Sequence, residues 1–392
     1  MPIIIEGLKI YAEDQIYNDG YIEIIGSKIS NIGQRVNRNK LKDNTKVISF
    51  SNDNFCLPGF IDTHIHGAAG ADTMDATKDS MVTISQALPA EGTTSFLATT
   101  MTQEKKNIEN ALRNVGSYIQ QPTVTSGAEV LGIHLEGPFI SSKKIGAQPP
   151  KYILDPDTLL FKRWQKLSHN NIKVVTLAPE KQGGIEFIEY LTKTGVVASA
   201  GHSNATCYKL QQAINAGLTQ VTHLYNGMSR LHHREPGIVG SALLSDALKA
   251  EIIADGVHIH PKIINLSFKL KKDGLIAVTD SLRAKCLSDG EYELGGQKVL
   301  VKNGEARLQN GSLAGSTLKM NIALKNIISF TGCTMKEAIK ITSANPAKQL
   351  GIEKYKGSIK RGKDSDIVIL DQNFNVVMTL CKGNITYIDK KQ

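Results

Sequence analysis

No stretch of the 392 residues approaches the ~18 consecutive apolar positions of a membrane-crossing helix, which argues against a membrane-spanning chain. The first residues, Met-Pro-Ile-Ile-Ile-Glu, lack the basic and apolar regions of a secretory leader, so export is not expected. Cysteine is sparse: Cys56, Cys207, Cys286, Cys333 and Cys381 are odd in number, far apart and free of CxxC spacing. That excludes a disulfide scaffold or cysteine-built zinc knuckle and predicts reduced thiols in a cytoplasmic setting. Net charge is +9, yet the cationic residues are scattered and form no aromatic-studded basic block, so no nucleic-acid partner is expected. A phosphorylated small molecule suits that charge as well. Short internal repeats and low-complexity tracts are also missing, which removes solenoid architectures.

What is there is a globular composition, 41% hydrophobic and 21% charged. Both ends carry short β-branched runs between Gly, Asn and Asp: Ile3 to Tyr11, Gly20 to Ile32, Lys46 to Phe50, and Asp366 to Leu370, Val376 to Leu380, Asn384 to Ile388. They predict antiparallel strands from both termini pairing into one small β-sandwich domain. Between them, eight apolar strand-like runs (Phe60 to His66, Thr93 to Thr100, Val130 to Glu136, Ile172 to Ala178, Val196 to His202, Gln220 to Leu224, Ala250 to Asp255, Leu275 to Asp280) alternate with segments of helical period. Helices are expected from Ser241 to Leu248, Ser316 to Phe330 and Met335 to Leu350, among others. Eight βα units predict an α/β fold, a (β/α)8 barrel over residues 57–352, with 1–56 and 353–392 forming the small domain.

Metal-capable residues recur where the apolar strands end, the catalytic face of such a barrel. His64 and His66 alternate along the first strand and therefore point to one side. Glu136 ends the third strand, His202 the fifth, His223 lies in the sixth and Asp280 ends the eighth. Imidazole and carboxylate ligands suit a borderline divalent ion, and a carboxylate beside it can shuttle a proton. Taken singly, each has an ordinary reading: a hydrogen-bonded histidine at a strand end, a buried ion-pair glutamate, an aspartate capping a turn. Five strand ends bearing such groups on one face favour the joint reading.

The segments PGFIDTHIHG from Pro58, HLEGPF from His134, GHS from Gly201, THLYNGM from Thr222, REPG from Arg234, DGVH from Asp255 and VTD from Val278 resemble the amidohydrolase superfamily. Within it they resemble the N-acetylglucosamine-6-phosphate deacetylases, over essentially the whole chain. HxH signals the superfamily alone, whereas HLEGPF with HLYNGM and REPG is far more specific. The resemblance implies that Glu136, His202 and His223 hold the main divalent ion, that His64 and His66 offer a second position, and that Asp280 is the acid/base. It further implies substrate contacts from Ala147, Gln148, Asn226, Gly227, His258, Leu313, Ala314 and Gly315. Arg234 is implied as a phosphate clamp that can reach across a homodimer. Some relatives carry a histidine where Gln148 stands; a glutamine can donate a hydrogen bond but carries no proton. Zinc is the expected ion, with Fe2+, Co2+ and Mn2+ accepted by similar ligands.

The implied reaction removes the acetyl group of N-acetylglucosamine 6-phosphate, giving glucosamine 6-phosphate and acetate in amino-sugar recycling. Two rivals stay open. Another amidohydrolase reaction, on a cyclic amide or an amine, would share the fold and the HxH pair; a non-catalytic scaffold of the same fold would be expected to lack ligands that this sequence has. Phe161 and Trp164 read as packing residues, Cys207 as a helix-start residue, and His260 as preceding a helix that opens at Pro261.

Overall fold

The computed structural model describes residues 2–36, 44–121 and 127–390. Met1, heading the segment searched for a leader, and residues 391–392, ending the small-domain segment, lie outside them.

The chain opens with β1 (Ile3–Tyr11), β2 (Ile16–Ile25) and β3 (Lys28–Gly33), which bury Ile5, Leu8, Ile10, Ile22, Ile24 and Ile29 on one side. The predicted run from Gly20 to Ile32 is thus two strands, because a turn at Gly26 folds it back on itself. After β4 (Lys46–Ser49) and β5 (Phe55–Pro58), Gly59 alone separates the small sheet from the first barrel strand, β6 (Phe60–Ile65). A two-strand hairpin, β7 (Gly67–Ala68) and β8 (Ala71–Asp72), leads on to the remaining barrel strands. These are β9 (Thr93–Thr100), β10 (Glu129–Glu136), β11 (Ile172–Leu177), β12 (Val197–Ala200), β13 (Gln220–Val221), β14 (Lys249–Ile252) and β15 (Leu275–Ala277). They pair in parallel in chain order, and β6 and β9 are buried along their whole length, as strands covered on both faces should be.

Interleaved helices are α1 (Lys78–Ala87), α2 (Lys105–Gln120), α3 (Thr158–Leu167), α4 (Gly184–Lys193), α5 (Cys207–Asn215), α6 (Gly237–Leu244) and α7 (Pro261–Leu270). In α2 the buried Ile108, Ala111, Leu112 and Val115 fall three and four apart, the spacing of one helical face. Asp157 caps α3 through the Leu159 and Leu160 amides, and His260 caps α7 ahead of Pro261. Phe161 and Trp164 are fully buried. The two ends of the barrel sheet meet at a seam without a continuous ladder. There the Asp280 amide donates to His64 O at 2.8 Å, and the His66 and Gly67 amides donate to Ser281 O at 2.9 and 3.0 Å.

Four further features depart from the sequence reading. α6 runs from Gly237 rather than Ser241, because Glu235 Oε1 accepts the Gly237 amide and Ser229 Oγ the Ile238 amide, capping the helix early. Residues Gly290–Leu294 (β16), Gln297–Lys302 (β17) and Glu305–Leu308 (β18) form a three-stranded antiparallel sheet that the sequence reading passed over. The helix expected from Ser316 starts at Met320, as α8 (Met320–Thr331), because Ser316 is tied to the end of β15: its amide donates to Asp280 O and its hydroxyl to Thr279 O. The helix expected from Met335 to Leu350 is interrupted. A π-helical turn, Lys340–Ala344, separates α9 (Met335–Ile339) from α10 (Asn345–Gln349), where Pro346 has no amide hydrogen to continue the ladder.

The chain ends in β19 (Ile367–Leu370), β20 (Val376–Cys381) and β21 (Asn384–Ile388), which complete the small sheet in the order β21-β20-β19-β5-β1-β2-β3, with β4 beside β1. Ile367, Ile369 and Leu380 from one end share a core with Ile5, Leu8 and Ile22 from the other. The sheet is not purely antiparallel: β4 and β5 both run parallel to β1, along its first and second halves, because the chain returns to the start of β1 after β3.

Candidate metal centre

Strand ends deliver the site. Glu136 at the end of β10 is the hub: Oε1 lies 3.1 Å from His202 Nε2, 3.0 Å from His223 Nε2 and 3.5 Å from His64 Nε2, and Oε2 lies 3.3 Å from His66 Nε2. Asp280 Oδ1 sits 3.4 Å from His64 Nε2 and 3.2 Å from His66 Nε2. All six side chains are buried except for a 13% exposed edge of Asp280. Three of these positions, His202, His223 and Asp280, have φ of 47°, 31° and 49°. Left-handed backbone at non-glycine residues is costly and concentrates at functional sites, and here it turns each side chain inward at the point where its strand stops.

The orientation of the imidazoles is set from behind. His202 Nδ1 lies 2.9 Å from Lys144 O, His223 Nδ1 3.2 Å from Asn226 O, and His64 Nδ1 3.0 Å from Glu251 Oε2. Each Nδ1–H then donates outward and leaves Nε2 with its lone pair toward the cluster. His202 Nε2 and His223 Nε2 face each other at 3.2 Å, and His64 Nε2 makes no hydrogen bond. Imidazole nitrogens and carboxylate oxygens converging in this way are a ligand set that suits a divalent cation. Electrostatics agree: burial raises Glu136, but His64, His202 and His223 more than reverse that and hold it well below the carboxylate range. Burial likewise opposes Asp280, yet His64 and His66 bring it down to about 2. Burial pulls His66 down, but Asp280 and Glu136 push it up to about 9. The residues therefore fit a divalent ion, in two sets whose ligand atoms lie within 4.8 Å of one another: Glu136, His202, His223, and His64, His66, Asp280. A third grouping around His134 is of a different kind. Both ring nitrogens of His134 are engaged, with Thr63 O and Thr176 Oγ1, and burial holds it well below the usual imidazole range.

Around this centre the other expected residues are distributed unevenly. Gln148 is buried, with Oε1 accepting the Thr102 amide at 2.8 Å and Nε2 donating to Glu136 Oε2 at 2.7 Å, so its amide buttresses the hub carboxylate. The carbonyl of Ala147 accepts from Gln297 of β17. Gly227 has φ +58°, and a Cβ there would stand 3.0 Å from His202 Nδ1; only glycine allows the loop so close to the ring. Asn226 turns its Nδ2 toward the carbonyls of His223 and Leu224. His258 Nδ1 is held by Asp255 Oδ2 at 2.6 Å, which frees Nε2, and His258, Leu313 and Gly315 line one cavity of about 540 Å³. Ala314 is fully buried in the core beneath β16–β18. Arg234 is exposed, pairs with His233 and is not brought to the cluster within this chain. Cys207 opens α5 and belongs to none of the metal groupings. A larger cavity, about 980 Å³, lies among Lys249, Lys340 and Lys348 and holds none of these groups.

Sequence reasoning missed Glu251, a fully buried carboxylate behind His64, although a charged residue inside the apolar run Ala250 to Ile252 was a visible signal.

Comparison with known proteins agrees with this arrangement. The Amidohydrolase family model matches residues 55–386. The chain is 47% identical over 391 residues to the N-acetylglucosamine-6-phosphate deacetylase of Bacillus subtilis, covering 99% of this chain and 98% of that one. It is 38% identical to the N-acetylgalactosamine-6-phosphate deacetylase of Escherichia coli O157:H7, covering 84% and 86%. The crystal structure of N-acetylglucosamine-6-phosphate deacetylase from Pasteurella multocida superposes with a TM-score of 0.91 at 29% identity, over 98% of this chain and 99% of that one. With the barrel, the strand-end cluster of imidazoles and carboxylates and these likenesses in place, the chain belongs to the amidohydrolase family.

Proposed function

We propose that the protein hydrolyses the N-acetyl group of N-acetylglucosamine 6-phosphate to glucosamine 6-phosphate and acetate, a step of amino-sugar recycling. The observation that carries this reading is the convergence of Glu136, His202, His223, His64, His66 and Asp280 at one end of the barrel, in a chain that matches a curated deacetylase over nearly its whole length. Glu136, His202 and His223 would hold the main divalent ion, zinc first and Fe2+, Co2+ or Mn2+ as substitutes, with a second position at His64 and His66. Bound there, a divalent ion lowers the pKa of water toward ~7 and polarises an acyl oxygen.

The chain's own residues supply the rest. Asp280, ionised at neutral pH, accepts a proton from the attacking water on its carboxylate and returns it to the departing sugar nitrogen. Gln148 keeps Glu136 in place, and burial of the cluster excludes bulk water. His258, fixed by Asp255, offers Nε2 to a sugar hydroxyl in the cavity that it shares with Leu313 and Gly315, and Ala147, Asn226, Gly227 and Ala314 would complete the sugar contacts. Arg234 takes the phosphate, its planar fork matching two phosphate oxygens. Its exposure, together with the exposed Leu231 three residues before it, Tyr208 on α5 and Leu244 on α6, supports a homodimer in which Arg234 serves the neighbouring site.

The same reading divides the chain at 1–56, 57–352 and 353–392 and puts it in the cytoplasm. Five free cysteines support that placement; no helix among the described residues is long and apolar enough to cross a membrane. The test is acetate release from N-acetylglucosamine 6-phosphate and from the unphosphorylated sugar, on metal-stripped protein and after zinc is restored. Zinc-dependent release from the phosphorylated sugar alone is expected. Release from neither, with metal bound, overturns the substrate assignment in favour of another amidohydrolase reaction.

A further inference from the structure

Glu251 is completely buried in β14 between Ala250 and Ile252, and no lysine or arginine among the described residues bonds it. Its Oε2 accepts His64 Nδ1–H at 3.0 Å and the His223 backbone amide at 3.2 Å, and its Oε1 accepts Gln220 Nε2 at 2.8 Å. One carboxylate thus grips both halves of the metal centre from behind: the His64 ring on β6, and the backbone that carries His223 beyond β13.

The three orienting contacts are not alike. His202 and His223 donate to neutral carbonyls, whereas His64 donates to a carboxylate. A carboxylate behind an imidazole fixes its tautomer more firmly and strengthens the opposite nitrogen as a ligand. His64 is also where this matters most. Its Nε2 lies 3.5 Å from Glu136 Oε1 and 3.4 Å from Asp280 Oδ1, two oxygens to which an Nε2–H could donate instead. Glu251 competes for that hydrogen and, at 3.0 Å with good geometry, takes it on the Nδ1 side.

We propose that Glu251 is a positioning residue for the second ion: it holds His64 as the Nδ1–H tautomer, so that Nε2 joins His66 and Asp280 as a ligand. Without it, the His64 side of the cluster weakens while Glu136, His202 and His223 keep their ion. This rests on the metal reading above.

The test uses the full-length protein and the variants Glu251→Leu and Glu251→Gln, with two readouts. Zinc equivalents per chain are measured by equilibrium dialysis, and histidine tautomers by long-range 1H–15N spectra of metal-free, 15N-histidine-labelled protein at a pH high enough to leave His64 neutral, since burial is outweighed there by Asp280, Glu136 and Glu251, which hold it well above the usual imidazole range. Wild type is expected to bind two zinc ions and to show His64 protonated on Nδ1. E251L should bind one and lose that tautomer signal. E251Q, which keeps an acceptor but no charge, should keep the tautomer and bind the second ion ~10- to 100-fold more weakly. An unchanged second-ion affinity and an unchanged His64 signal in E251L overturn the proposal. If E251L does not fold, unchanged second-ion affinity in E251Q overturns it. If wild type binds a single ion, the two-ion reading fails on its own, and the His64 signal decides the role of Glu251: lost in E251L it stands, kept it falls.

Discussion

Asp62 holds Thr279 across the barrel seam, with Oδ1 accepting the Thr279 amide at 3.2 Å and Oδ2 accepting its hydroxyl. The same Oδ1 also takes the His64 amide at 3.3 Å. A side chain of the first barrel strand thus does what a backbone ladder does elsewhere in the sheet, one residue before Asp280. Asp62→Ala leaves these donors buried and unpaired, each costing roughly 1–3 kcal/mol. We expect a loss of about 3 kcal/mol in urea denaturation and a fall in kcat from the displaced Asp280; wild-type stability would show that the seam closes without Asp62.

Asp280→Asn keeps the shape of the side chain and removes its ability to take a proton. Turnover should fall at least ~10²-fold. The zinc ion at Glu136, His202 and His223 should be retained, because those ligands are untouched, whereas the second ion, which the Asp280 carboxylate would help to hold, should bind more weakly; the unfolding transition should stay near wild type. Dialysis, calorimetry and steady-state kinetics on one preparation check all three.

Arg234 is exposed and, among the described residues, its guanidinium bonds just its neighbour His233, so its replacement by Gln should leave the fold intact. KM for the phosphorylated sugar should rise by ~10-fold or more while any activity on the unphosphorylated sugar stays the same. Equal effects on both sugars would remove phosphate recognition from this residue.

Gly227→Ala adds a Cβ 3.0 Å from His202 Nδ1 at a φ of +58°. The backbone cost is ~1–2 kcal/mol, and the ring must give way as well. Weaker binding of the first zinc ion, read by competition with a chromophoric chelator, is the expected outcome.

Acid stability has a component at the junction of the two termini. Burial raises Glu13, but bonds from Lys360, Ser358 and Lys363 reverse this and lower it from 4.5 to about 2. A carboxyl depressed by folding stabilises above its unfolded pKa and loses that contribution as pH falls from about 4.5 to about 2. The contribution is modest because Glu13 is partly exposed and screened by salt. The stability gap between wild type and Glu13→Gln, measured at low ionic strength, should be open at pH 6 and closed near pH 2.

Barrel strands were legible because burial on both faces writes itself as unbroken apolar runs, and the clustered imidazoles and carboxylates because they interrupt those runs at their ends. His64 and His66 could be assigned to one side from alternation alone. The sheet β16–β18 escaped because its strands are short and half-exposed, although Gly295-Gly296 between alternating residues is a hairpin signal. Early capping of α6 was hidden because Ser229 reaches it from eight residues upstream of the helix start. Glu251 and Asp62 were unreadable as partners, since their work consists of hydrogen bonds to residues 187 and 217 positions away.

The small sheet also dictates when the molecule can be finished. Its middle strand β5 is synthesised within the first sixty residues, yet its neighbour β19 belongs to the last thirty. Until β19 has left the ribosome, β5 keeps one open edge of unpaired amides and carbonyls, an invitation to pair with another nascent chain. A premature stop before Ile367 would spare every proposed metal ligand and still leave a protein prone to aggregate, so the segment from Ile367 onward guards the solubility of a site to which it contributes no side chain.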